Sequence, residues 1–215
     1  MPFDVRIAEE MRDPASQRRA WLRSGARSFN AMGDPGALVA SAALYGAGRL
    51  AHSPLLTGVG LHAGEAVVIA GATTSLLKIV AGRARPYAST GNWMAYTPGR
   101  VAGGHTSLPS GHTTVAFAFA AATSAELATR SHRAAWIVGP VLYGAATMVG
   151  GARMYDDRHW ASDVVLGAGI GTVAGIKTVA WNRAHPRNRV ERALASVSVT
   201  RTMHVVALTY EIPTR

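Results

Sequence analysis

Long apolar runs alternate with short polar connections along the chain, recurring at 36–51, 55–77, 113–128, 134–150 and 164–181. They are rich in Ala, Gly, Val and Leu, bounded by Arg, His, Pro or Asp, and predict five helices. Each run holds about 15–23 residues, a length shared by buried core helices and membrane-crossing ones of about 20 residues. His62 and Glu65 inside the second run and Lys177 inside the last weigh against a purely lipid-exposed span. Abundant Ala and Gly allow helices to approach closely, in a membrane or in a tight soluble bundle. Residues 82–111 form the longest stretch without helical periodicity and contain Pro86, Pro98 and Pro109. A connection of that length in a compact domain usually serves function.

The ends differ from the middle. Residues 1–30 mix Arg6, Arg12, Arg18, Arg19, Arg23 and Arg27 with acidic residues and contain no apolar core of the secretory-leader kind. At the other end, Ser196–Val199 and Val205–Ile212 alternate like short strands. The expected organisation is therefore a basic surface or interfacial helix region over 1–34, a helical core over 35–182, and a tail over 183–215. The fold class is all-α, a bundle of five to six helices of near-spanning length with its site at one end and short C-terminal strands.

Composition sharpens this picture in three ways. At 215 residues the chain suits one domain with appended ends. Hydrophobic residues make up 48% and charged ones 16%, against about a quarter charged in soluble domains, so apolar surface beyond an ordinary core is expected. The net charge of +10 suits an anionic membrane or phosphorylated substrates; the cations are scattered among motifs and helix ends and form no nucleic-acid stripe. With no cysteine, disulfides, thiolate nucleophiles and Cys-ligated zinc are excluded.

If the last four runs span, Arg130, His132 and Arg133 fall on the same side as Arg183, Arg187, Arg189 and Arg192. The positive-inside bias makes that side cytoplasmic and places the motif loops on the outer face. The Arg-rich residues 1–30 then also fall outside, which is why an interfacial helix is expected there.

Three clusters carry candidate chemistry. Lys78 and Arg85 are seven residues apart, before Pro86, and two converging cations make an anion clamp. Arg83 reads equally as a surface residue or as part of the site. Pro109-Ser110-Gly111-His112 directly precedes an apolar run, so its amides become the unpaired donors of a helix N-terminus, where negative charge is favoured. Ser110 there caps the helix or donates to an anion, and His112 can act as general acid; His105 reads as a loop residue. His159 and Asp163, four apart, share a helix face; the carboxylate can accept the Nδ1 proton and leave Nε2 bare for nucleophilic attack. Arg153 adds a third cation whose planar fork suits phosphoryl oxygens. Asp156 and Asp157 are adjacent, share no face, and read as solvated loop charges. Each cluster alone has an ordinary structural reading, but all three fall where an apolar helix meets a connection at one end of the bundle.

In order and internal spacing, Lys78 to Arg85-Pro86, then Pro109-Ser110-Gly111-His112, then Arg153 to His159 to Asp163 resemble the signature of the type 2 phosphatidic acid phosphatase (PAP2) superfamily. The resemblance covers about residues 55–181. Ala152 stands where the family usually has serine before the arginine. The resemblance implies that His159 attacks phosphorus with Asp163 holding its tautomer, and that His112 protonates the leaving oxygen. Lys78, Arg85, Ser110, Gly111 and Arg153 then bind the phosphoryl oxygens, with no metal or other cofactor. The implied enzyme is a phosphomonoester or pyrophosphate hydrolase acting on a phosphorylated membrane lipid, at the outer, periplasmic face of a membrane. A soluble periplasmic acid phosphatase acting on small phosphate esters is the alternative, and a vanadium-dependent haloperoxidase shares the motifs more remotely. The aromatic and apolar side chains of Tyr87, Trp93, Met94 and Tyr96 are the candidates for contacting the leaving group or lipid.

Overall fold

The computed structural model describes residues 3–33, 35–89, 91–186, 197–202 and 205–210. Among these, eight α-helices follow in chain order: α1 Phe3–Met11, α2 Pro14–Arg18, α3 Ala20–Gly33, α4 Gly36–Leu50, α5 Pro54–Ala81, α6 Gly111–Ala128, α7 His132–Tyr155 and α8 Ala161–Ala184. The five apolar runs become α4 to α8, and the all-α reading holds. The runs underestimate α5 and α7 at one end because their last turns carry the polar residues Lys78 and Arg153. Two strands, β1 Val197–Thr202 and β2 Val205–Tyr210, pair antiparallel with Val197 opposite Tyr210. Ser196, Ile212, Arg187, Arg189 and Arg192, used in the sequence argument, lie outside the described residues.

Local chemistry sets the helix ends. The Ser53 hydroxyl accepts the Leu56 amide at 3.4 Å and Pro54 occupies the first turn of α5, where a missing N–H costs nothing. Gly82 ends that helix in the left-handed region at φ +52°, its amide bonded to the Lys78 carbonyl at 2.9 Å. A side chain there would strike the Thr97 carbonyl, so only glycine allows the turn and the close approach together. The Ser131 hydroxyl caps α7 through the Ala134 amide at 3.2 Å.

The central helix is α6, packed against α5, α7 and α8. Ala63, Ala66, Val67 and Ala70 of α5 meet Val115, Ala118 and Ala122 of α6 and Val179 of α8 in the main core. Gly167, Gly171 and Gly175 form a ridge of small residues along α8; a Cβ at Gly167 would lie 2.8 Å from the Ser110 carbonyl oxygen, and one at Gly175 2.6 Å from that of Ala118. Backbones this close gain dispersion contacts that larger side chains would prevent.

Helices α5, α7 and α8 are long and apolar enough to cross a membrane. Their outward faces expose Val68, Ile69, Leu76 and Val80, then Trp136, Ile137 and Val141, then Val165, Val173 and Ile176. Two polar residues inside the α5 run find partners: Glu65 Oε2 accepts from Asn182, and His62 Nδ1 lies 2.9 Å from Glu126 Oε2. The N-terminal stretch, expected as a surface or interfacial helix, is three short helices that bury Asp4, Val5 and Ala8. Helix α3 lies against α7, and α1 against α7 and α8.

Candidate active site

The C-terminal ends of α5 and α7 and the N-terminal ends of α6 and α8 meet at one end of the bundle. Between them lies a cavity of about 270 Å³ lined by Lys78, Arg85, Gly111, His112, Arg153 and His159, together with Gly71, Thr74, Ser75 and Val115. Six of the eight residues singled out in the sequence thus share one cavity, although Lys78 and Arg153 are 75 positions apart. Asp163 and Ser110 stand behind it.

Lys78 and Arg85 do not sit on one continued helix, because Gly82 ends α5 between them. What brings them together is the strand-like run 82–85. It is bonded on one side through Ala84 N to Ala95 O and on the other through Arg85 N to Gly104 O, both 2.9 Å. Thr106 completes the clamp: its carbonyl accepts Lys78 Nζ and its hydroxyl accepts Arg85 at 3.2 Å.

Among the described residues, five buried side-chain polar atoms lack a partner, and three of them belong to the cavity lining: Thr74 Oγ1, Arg85 Nε and Arg153 Nε. An unsatisfied buried donor costs about 1–3 kcal/mol, and more when charged, so a cluster of them calls for an anionic guest. The first amides of α6, from Gly111 onward, add donors with no intrahelical partner. Three cations, free donors and a helix N-terminus together suit a tetrahedral oxyanion. Among the described residues, no three His, Asp or Glu side chains gather to hold a metal ion.

His159 is 3% exposed. Its Nδ1 is 2.8 Å from the Ser107 carbonyl, and a carbonyl only accepts, so the proton sits on Nδ1 and Nε2 keeps its lone pair. Asp163 Oδ2 is 3.7 Å from Nδ1, beyond hydrogen-bond range, so the expected direct proton contact with Asp163 is replaced by one to Ser107. Asp163 acts one step back: it accepts the Ser107 hydroxyl, the Trp160 amide at 2.9 Å, and Arg83. Burial pushes the His159 imidazole down to about 4, with Asp163 opposing and Lys78 assisting, so it is neutral at physiological pH.

Arg83, left open between surface and site, is neither exposed nor in the cavity. It is 1% exposed and directs its donors to Asp163, Ser162, Asp4 and the Trp93 carbonyl. Ser110 also departs from expectation: its hydroxyl lies 2.9 Å from Thr113 Oγ1 and its amide donates to the Asp163 carbonyl at 3.0 Å, so it knits α6 to α8. Trp93 packs with Val5, Ala8 and Trp160, whereas Tyr87, Met94 and Tyr96 are exposed. Sequence reading missed Thr106 and Ser107, whose position directly before the Pro109 motif was the available signal, and Asp4 and Asn30, for which no local signal exists.

The chain matches the model of the PAP2 superfamily over residues 59–187. It belongs to that superfamily. Within the chain, 71 residues are 42% identical to the lipid A 1-phosphatase of Porphyromonas gingivalis, a stretch that is 32% of this chain and 15% of that protein. The fold is similar to the crystal structure of the transmembrane PAP2-type phosphatidylglycerolphosphate phosphatase from Bacillus subtilis. The TM-score is 0.60 at 20% identity, over 86% of this chain and 87% of the other. It is also similar to Aquifex aeolicus LpxE, with a TM-score of 0.57 at 18% identity, over 84% and 96% of the two chains.

Proposed function

We propose that this chain is a membrane-embedded phosphatase that hydrolyses a phosphomonoester or pyrophosphate of a lipid through a phosphohistidine on His159. The observation that carries the reading is the cavity in which a neutral, tautomer-locked histidine and a second histidine face three cations, two of them, Arg85 and Arg153, with an unpartnered Nε. His159 Nε2 attacks phosphorus, forming the N–P bond as the P–O bond to the leaving group breaks, and His112 delivers the proton to the departing oxygen. His112 then takes a proton from water, whose oxygen attacks phosphorus and releases phosphate and free His159. Lys78, Arg85, Arg153 and the α6 amides stabilise charge on the phosphoryl oxygens as it develops.

The lipid class rests on the apolar outward faces of α5, α7 and α8, three helices long and apolar enough to cross a membrane, and on relatives named as lipid phosphatases. The cavity descends along α5 past Thr74 to Gly71, toward the middle of the apolar run. The active site is assigned to the outer face, because the Arg130–Arg133 turn and Arg183 lie at the opposite end of the bundle.

The test is phosphate release by purified protein from phosphatidate, phosphatidylglycerol phosphate, undecaprenyl pyrophosphate and lipid A in micelles, beside p-nitrophenyl phosphate. Substrate labelled in the phosphoryl group should leave label on an imidazole nitrogen of protein quenched in alkali, and His159→Ala should lose both label and turnover. Release from small esters alone would shift the reading to an acid phosphatase, and wild-type-like activity in His159→Ala would remove the mechanism.

A further inference from the structure

The N-terminal helices reach the site at two independent points, through residues outside the 59–187 region that matches the family. At the first, Asp4 of α1 is buried against Arg83: Arg83 Nη2 donates to Asp4 Oδ2 at 2.8 Å, and Asp4 also accepts the Ser162 amide at 2.8 Å and the Ser162 hydroxyl at 2.6 Å. The remaining donors of Arg83 go to the Trp93 carbonyl at 3.1 and 2.9 Å, to Ser162 at 2.8 Å, and to Asp163. All five guanidinium hydrogens are used, so Arg83 has one position, and Asp4 is one of the two charges that fix it. From Arg83 the contacts run unbroken to Asp163, to Ser107, and to the Nδ1 proton of His159.

At the second point, Asn30 of α3 accepts Arg153 Nη1 at 3.2 Å through Oδ1 while its Nδ2 donates to Asp156 Oδ2. The Asp156 carboxylate can only accept, which fixes the amide with its oxygen toward Arg153. Arg153 is thereby tethered at one nitrogen while its Nε remains buried and unpartnered in the cavity wall. The same helix ends at Gly33, where a Cβ would lie 2.9 Å from Cβ of His112. Further ties keep this segment in place: Gln17 donates to the Tyr155 carbonyl at 3.0 Å, and Arg12 pairs with Asp157 at 2.9 Å.

We infer that Asp4 and Asn30 are positioning residues of the reaction, Asp4 holding Arg83 against Asp163 behind the nucleophile and Asn30 aiming Arg153 at the phosphoryl group. The inference rests on the phosphatase reading of the cavity. Neither residue touches the substrate; each fixes a charged side chain whose freedom to swing would cost rate, since small misplacements of reacting groups cost about 10²-fold. The two act on different steps. Asp4 bears on the orientation of His159 and so on kcat, whereas Asn30 bears on oxyanion binding and so on the affinity for phosphate-like ions.

A double-mutant cycle on the full chain in detergent tests this, read as kcat and KM for phosphate release and as protection by orthovanadate against thermal unfolding. Asn30→Ala should lower kcat/KM by about 10- to 100-fold and weaken vanadate protection, and should add nothing in an Arg153→Ala background, because its partner is gone. Asn30→Gln, which keeps the amide, should recover part of the loss. Asp4→Asn should lower kcat with vanadate protection retained. An undiminished effect of Asn30→Ala in the Arg153→Ala background, or wild-type kcat/KM and vanadate protection in Asn30→Ala, would overturn the role of Asn30; unchanged kcat in folded Asp4→Asn would overturn that of Asp4. If Asp4→Asn does not fold, Asp4→Glu decides, since wild-type kcat in a variant with the carboxylate displaced by a methylene speaks against positioning. Wild-type protein that releases no phosphate but is protected by vanadate would sink the phosphatase reading and with it the role of Asp4, while that of Asn30 is still decided by the cycle read as protection; no protection of the wild type would sink both.

Discussion

At the scale of single residues, the site depends on how one imidazole is kept neutral and pointed. Ser107 supplies an acceptor that cannot give a proton back, so the tautomer of His159 does not depend on the state of Asp163. Because burial holds the folded pKa near 4, below the ordinary 6.5, the folded protein binds this proton less readily than the unfolded chain. The consequence has a definite sign: this group favours folding fully above about pH 6.5, and its contribution falls as pH drops toward about 4. In ¹⁵N-histidine NMR in micelles, the imidazole signal missing from His159→Ala should titrate well below 6.5 and stay in the Nδ1–H form above that. A midpoint at or above 6.5 would contradict the burial argument. The residue-scale errors of sequence reading share one cause. His–Asp spacing of four suggests a direct contact, but whether Nδ1 meets the carboxylate or a nearer carbonyl is set by the 105–109 loop, which no helical periodicity describes.

At the scale of elements, the α6–α8 contact places the two histidines, since α6 starts at Gly111 beside His112 and α8 starts just after His159. Asp163 joins the two elements at that end, its side chain taking the Trp160 amide and its carbonyl taking the Ser110 amide. The glycine ridge of α8 sets how near the helices come. Gly171→Leu should therefore force the backbones apart, costing about 1–3 kcal/mol or more from overpacking, which corresponds to a Tm lower by roughly 5 °C or more. Gly169→Ala is the control, because nothing lies within 4 Å of a Cβ at that position, and its Tm should not fall, the better helix propensity of alanine raising it by about 2–4 °C at most. Equal stability of Gly171→Leu and wild type would show that the ridge is not a packing surface. The five long helices were legible in the sequence because burial and lipid exposure both demand long apolar runs. The three N-terminal helices were legible only as a basic surface or interfacial helix region, since partners such as Asp157 and Ser162 lie more than a hundred residues away, between α7 and α8 and at the start of α8.

At the scale of the whole molecule, apolar flanks and a polar end divide the surface by solvent. A protein inserted through α5, α7 and α8 should stay in the membrane fraction after an alkaline carbonate wash and need detergent for release; recovery in the wash would remove the membrane-embedded reading. Since the chain has no cysteine, single cysteines report its orientation cleanly. In intact cells a membrane-impermeant maleimide should label Val101→Cys, in the exposed connection between α5 and α6 at the site's end of the bundle, and reach Arg130→Cys, at the far end, only after permeabilisation. The reverse pattern would put the site on the inner face.

The sequence by itself determined the long helices, the family, and the side chains that surround the cavity, because helix periodicity and motif spacing are local properties written in consecutive residues. It also implied that Lys78, Arg85, Arg153 and the two histidines meet, since each marks the same end of a helix in an up-and-down bundle. Only the tertiary structure decided that Arg83 is buried, that Ser107 fixes the tautomer of His159, that Ser110 ties two helices together, and that Asp4 and Asn30 reach the site from the N-terminus. The physical reason is common to all four: a buried charge or a buried N–H must find a partner wherever the fold provides one, and which partner that is depends on chain segments brought together from 52 to 158 residues apart.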